Sequence, residues 1–146
     1  MSEIMIGSLP LSQAAINLAV LGGAFSPADI PGLQLWLRAD AGVWQDSVGG
    51  TPAVNDGDVV GAWEDQSGNG NHATQATTTN KPIYWTNVVN GKPVVRFDGV
   101  DDDLALSSST IMNFERIDTW TFFFVVKLNT STYAIYPCIS KDTGLG

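Results

Sequence analysis

The run Phe122-Phe123-Phe124-Val125-Val126 offers no polar residue to either side of a strand, and it restricts the fold more than any other segment. Aromatic and β-branched side chains favour a pleated, extended backbone over a helix. Alternation sends Phe122, Phe124 and Val126 to one face and Phe123 and Val125 to the other. A strand apolar on both faces is expected where both faces are covered, in the middle of a layered β structure. Trp120 to Leu128 and Tyr133 to Ser140, joined by Asn129-Thr130-Ser131-Thr132, are therefore the strongest expected strand pair.

Upstream the pattern is also that of strands and turns. Leu33, Leu35 and Leu37 alternate with Gln34, Trp36 and Arg38, a period of two. Asp40 to Gly57 reads as loop, Val59 to Trp63 as a short strand, and Asp65-Gln66-Ser67-Gly68-Asn69-Gly70 as a turn. A Thr-rich connector spans Thr74 to Asn80. Ile83 to Val89 and Val94 to Phe97 are expected strands around Asn90-Gly91, a dipeptide suited to a tight hairpin turn. Pro93 then belongs at a strand start or an edge. Leu104 to Leu106 is one more short strand.

Residues 1–30 stand apart as an apolar arm, with the β domain expected over 31–146. Leu9 to Phe25 is uncharged, Ser8 suits an N-cap, Pro10 suits a first turn and Gly22-Gly23 a stop, so a helix is expected from Pro10 to Leu21. Leu11, Ile16, Leu18, Val20 and Leu21 are its anchoring candidates. A helix apolar all round needs burial, against its own domain or in a neighbouring subunit. The segment lacks the basic start of a signal peptide and is too short and too polar to cross a bilayer.

Net charge is −8 over 146 residues, a surface that phosphate backbones and anionic lipids repel; neither nucleic acid nor membrane is an expected partner. The lone cysteine, Cys138, excludes an internal disulfide and is expected as a buried, inert thiol.

Three segments, taken in order, resemble a known family. They are Leu35-Trp36-Leu37-Arg38-Ala39-Asp40, then Trp63-Glu64-Asp65-Gln66-Ser67-Gly68-Asn69-Gly70-Asn71-His72-Ala73, then Pro93-Val94-Val95-Arg96-Phe97-Asp98-Gly99-Val100-Asp101-Asp102. Together they resemble laminin G-like, concanavalin A-like domains, in the version common in bacteriophage virion proteins and bacterial surface proteins, over roughly residues 33–142. The resemblance implies an all-β jelly-roll sandwich used for adhesion, glycan binding or particle decoration. Because that family usually carries more chain, residues 31–146 are expected to form its N-terminal part. With an arm and no export pattern, the expected setting is a virion: a head decoration, fibre or tail component, folded in the host cytoplasm. Its expected partners are other virion proteins, further copies of itself and host-surface glycans. The alternative is a glycan-binding module of a bacterial surface or secreted protein.

Three clusters bear on chemistry. Asp65, Ser67 and Asn69 with Gly70 open like an EF-hand loop, but position twelve is Ala76, so a structural turn is expected. Asp98, Asp101, Asp102 and Asp103 crowd one loop. A calcium ion held by Asp98, Asp101 and Asp102 would relieve their repulsion; the alternative is an acidic turn in which Asp98 or Asp101 caps backbone amides. Of the tryptophans, Trp44, beside Asp46, is the glycan-stacking candidate, while Trp36, Trp63, Trp85 and Trp120 are expected in the core. Catalysis has little support: glutamates are confined to Glu3, Glu64 and Glu115, His72 is the sole histidine, and no nucleophile elbow or phosphate loop is present. The expected protein is not an enzyme.

Overall fold

The computed structural model describes residues 25–107 and 119–128. The expected helix 10–21 with Leu11, Ile16, Leu18, Val20 and Leu21, the expected strand 133–140 and Cys138 lie outside the described residues.

The described chain is all-β, with strands in antiparallel sheets and no α-helix. No helix among the described residues is long and apolar enough to cross a membrane. The strands are β1 (Val43–Trp44), β2 (Ala62–Trp63), β3 (Ala73–Thr74), β4 (Ile83–Val89), β5 (Lys92–Arg96) and β6 (Ala105–Leu106). A four-stranded sheet has the order β1-β2-β3-β6, and β4 and β5 form a second sheet of two strands.

The hairpin follows from its turn. Asn90 and Gly91 both adopt positive φ, 50° and 74°, which gives the twist a two-residue hairpin needs. Val89 then faces Lys92, and Ile83 faces Arg96; an irregularity between Trp85 and Val89 coincides with Asn87 at φ 55°. Pro93 sits second in β5, near the strand start.

Segment 57–60 ties the two sheets together. Gly57 N donates to Tyr84 O, Tyr84 N to Asp58 O and Val60 N to Pro82 O, so the chain lines the outer edge of β4 before entering β2. At that entry Gly61 lies against the backbone of Gln45 and Asp46. A Cβ there would come within 2.6 Å of Gln45 O, so the close approach requires glycine. The core sits at this junction: Val43, Ala53, Val60 (fully enclosed) and Tyr84, with Trp63, Val95 and Leu104 packed against it.

Several expectations are corrected. Leu33–Arg38 is not a strand, because turn side chains take its main-chain groups: Trp36 N donates to Asp65, and Gln34 O accepts from Ser67, Asn69 and Asn71. The region read as loop from Asp40 to Gly57 contains β1, held on its outer side by Ala53 N to Val43 O and Gln45 N to Thr51 O. The connector from Thr74 begins inside β3 and ends in a 3-10 turn, Thr78–Asn80.

Residues 119–128 form no strand among the described residues. Trp120, Phe122 and Phe124 do follow one another along one side, with ring centroids 5.1 and 5.9 Å apart, as alternation predicts. Phe123 and Val125, however, are 66% and 92% exposed, so cover on both faces is not found among the described residues. Trp120 is exposed as well, and Trp36, Trp63 and Trp85 are half-buried. Their polar and cationic contacts keep them at the boundary of the core: Arg38 lies over Trp36, Arg96 over Trp85, and Trp63 Nε1 donates to Arg38 O at 2.9 Å.

Candidate functional site

Two acidic, glycine-bearing turns and one cleft hold the residues singled out above. In the first turn Asp65, 7% exposed, is saturated by the chain's own donors. Its Oδ1 accepts from Trp36 N and Ser67 N, and its Oδ2 from Ser67 Oγ and Asn71 N, at 2.7 to 3.0 Å. Burial pushes its acidity one way, but these hydrogen bonds win and hold the carboxyl below its ordinary value. Asn69 and Asn71 donate onward to Leu33 O and Gln34 O at 2.7 and 2.8 Å. The turn is a structural clasp, with its carboxylate lone pairs already occupied.

The second turn is local. Asp98 Oδ1 accepts from the amides of Val100, Asp101 and Asp102, and Asp102 Oδ2 accepts from Asp98 N. Asp98 caps backbone amides, as in the alternative to calcium. Ligand oxygens of Asp98, Asp101 and Asp102 nevertheless lie within 4.8 Å of one another. That spacing and donor type fit a hard cation, but calcium takes six to eight oxygens, and three carboxylates supply only part of such a set. Burial, followed by repulsion from Asp98, Asp101 and Asp103, raises the Asp102 carboxyl above its ordinary value despite the bond from Asp98 N.

Trp44 is not in a loop, as the sequence suggested, but on β1, and it is half-buried. The register explains its surroundings. Trp44 faces Ala62, and Ala62 faces Thr74, so the three form a row across adjacent strands. Ala62 is small, and the row therefore dips between the indole and Thr74. The opposite row, Val43, Trp63, Ala73 and Leu106, includes the buried Val43 and Ala73. Glu64 and His72 join the first row at the rim, and Ser47, Val48 and Gly49 close it, forming a cleft of about 80 Å3. A second cleft of about 210 Å3 opens beside Trp44, against Asp40, Pro52 and Tyr84.

The loop over the indole is organised by Asp46, whose carboxylate accepts from the amides of Gly50, Thr51 and Val48 and is thereby held down to about 2. Asp40, which lines the larger cleft, is held well below its ordinary value by hydrogen bonds from Arg38 and Lys92.

The smaller cleft brings a hydroxyl, an imidazole and a carboxylate together in Ser47, His72 and Glu64. A nucleophile relay requires the imidazole Nδ1 to donate to a carboxylate. Here His72 Nδ1 accepts instead, from Asp65 N at 3.1 Å, which leaves the proton of the neutral ring on Nε2. The arrangement presents donors and acceptors and does not align a relay. Sequence reading missed Ser47, Glu64 and Thr74 as neighbours of Trp44. Two-residue strands are too short for alternation to announce a shared face.

No family model, curated protein or solved structure matches the chain.

Proposed function

We propose that this chain is a non-enzymatic structural component of a bacteriophage particle, a head decoration, fibre or tail element. Its β domain is a laminin G-like, concanavalin A-like jelly roll and serves as an adhesive surface that contacts glycans. The observation that carries this reading is that the three segments behind the family resemblance meet, the first two by hydrogen bonds and the third through the core they share. Asp65 of the second binds Trp36 N of the first, Trp63 Nε1 of the second binds Arg38 O of the first, and Trp63 of the second and Val95 of the third pack against the same core cluster. The exposed apolar side chains of Phe123, Phe124, Val125, Val126 and Leu128 further favour a life in assembly, with virion proteins and other copies of itself.

The test is particle incorporation. Full-length chain should co-purify with phage particles, and a chain lacking residues 2–24 should be lost from them. Normal incorporation of the shortened chain removes the anchoring role, and absence of the full chain from particles overturns the structural role. Turnover of a polysaccharide panel by the purified protein would overturn the non-enzymatic part.

A further inference from the structure

Two asparagines of the described chain stand directly before glycine, in Asn69-Gly70 and Asn90-Gly91. Asparagine is a chemically labile side chain, and a following glycine exposes it most, because no Cβ hinders approach to the glycine nitrogen. In the reaction that nitrogen gives up its proton and attacks the asparagine Cγ. The new Cγ–N bond closes a cyclic imide, the Cγ–Nδ2 bond breaks, and Nδ2 leaves with the proton as ammonia. Water then opens the ring at either carbonyl, giving aspartate or isoaspartate. Nothing is oxidised or reduced, and water is the sole co-reactant.

The two pairs share their surface features. All four residues are exposed, and Gly70 and Gly91 both have φ 74°. Their side chains differ. Asn69 Nδ2 donates to Leu33 O at 2.7 Å, to Ser67 Oγ at 3.0 Å and to Gln34 O at 3.3 Å. The backbone is pinned on either side, by Asn69 N to Ser67 Oγ and by Asn71 N to Asp65 Oδ2. Attack on this Cγ requires the amide to leave those partners. The Asn90 carboxamide has no hydrogen-bond partner among the described residues, so it turns freely toward Gly91 N. Gly91 lies in the two-residue loop beyond the Val89 and Lys92 pair, outside the ladder. A Cβ built on it would meet only Asn87 Oδ1, at 3.7 Å, so the turn is open. Asp56-Gly57 and Asp98-Gly99 offer the same spacing, but the amides of Thr86 and Val100 hold those carboxyls below their ordinary value. An ionised carboxylate resists attack.

We propose that Asn90 is a site of spontaneous deamidation in the folded chain, while Asn69, in the same dipeptide, is shielded by its clasp. Either product adds a carboxylate two positions before Lys92, whose amine pairs with Asp40 at 3.1 Å. Isoaspartate also lengthens the main chain by a methylene between Val89 and Lys92, the pair that sets the hairpin register.

The test keeps the full chain at mildly alkaline pH and body temperature, with the same chain in concentrated urea as reference. Digests taken over days are read by mass spectrometry, with fragmentation that localises each amide-to-acid change and separates the two products. In urea, Asn69 and Asn90 should react at similar rates. In buffer, Asn90 should outpace Asn69 by about tenfold or more, because the bonds from Asn69 Nδ2 must first be given up. Asn90→Gly keeps a residue that accepts positive φ, and it should remove the acidic species that builds up in ion-exchange profiles of the aged protein. Equal rates at the two sites in the folded chain, or an Asn90 that reacts in urea and stays intact in buffer, overturn the proposal. So does an acidic species that persists undiminished in Asn90→Gly.

Discussion

The turns around Asp65 and Asp98 use the same few residue types, yet they do different work. Asp65 takes a donor from Trp36, 29 positions away, while among the described residues Asp98 takes donors only from those just after it. The first turn is packed beneath Leu33 to Trp36, whereas Asp98 and Asp101 stand in solvent. A carboxylate that closes a long loop from a buried position is worth more to the fold than one that tidies an exposed bend. Composition does not reveal which is which.

The comparison breaks most visibly at the two aspartates themselves. Asp65→Ala strands Trp36 N, Ser67 N and Asn71 N, and should cost about 2–4 kcal/mol, seen as a large fall in Tm. Asp98→Ala should lower Tm far less, since water reaches the freed amides. Equal losses would show that the second turn is as structural as the first.

Asn71→Ala comes next, at about 1–2 kcal/mol by denaturant titration, because it removes a buried side chain that gives the shortest of the three hydrogen bonds to Gln34 O. Asn69→Ala, at an exposed position, should cost less.

Acid sharpens the contrast through sign. Asp46 has a folded value of about 2 against an ordinary 3.8, so its ionised form is favoured by folding. Its stabilising contribution is complete above about pH 4 and fades as pH falls toward 2. Asp65 and Asp98 follow the same direction. Asp102 is raised, so its contribution is present below its unfolded value and is lost as pH rises through the folded one. Tm measured from pH 2 to 6 should therefore fall less steeply toward acid in Asp46→Asn than in the wild type. Asp102→Asn should gain slightly at neutral pH and nothing at pH 2.

The smallest effect concerns calcium. The amides that already hold Asp98 leave little for an ion to add, so a chelator should shift Tm by less than about 1 °C. A shift of several degrees, abolished in Asp101→Asn, would make the second turn a metal site and reverse the contrast.

Much of the fold could be read from local pattern. Ile83 to Val89 is a strand over that whole span, and the hairpin turns at Asn90-Gly91, because positive φ is a property of those residues and needs no partner. The exclusion of an EF-hand rested on Ala76 and needed no coordinates. Leu33 to Arg38 misled because its alternation is genuine while its hydrogen bonds go to side chains from a distant turn. The cleft was the least legible: Trp44, Ala62 and Thr74 become neighbours only through pairing register.

By itself, then, the sequence determined the β class, the hairpin and the acidic character, each of which follows from conformational preference or charge within a few residues. The tertiary structure alone decided which aspartate is a clasp and which polar groups share a cleft. Those outcomes depend on burial and register, and both arise only when segments far apart in the chain meet.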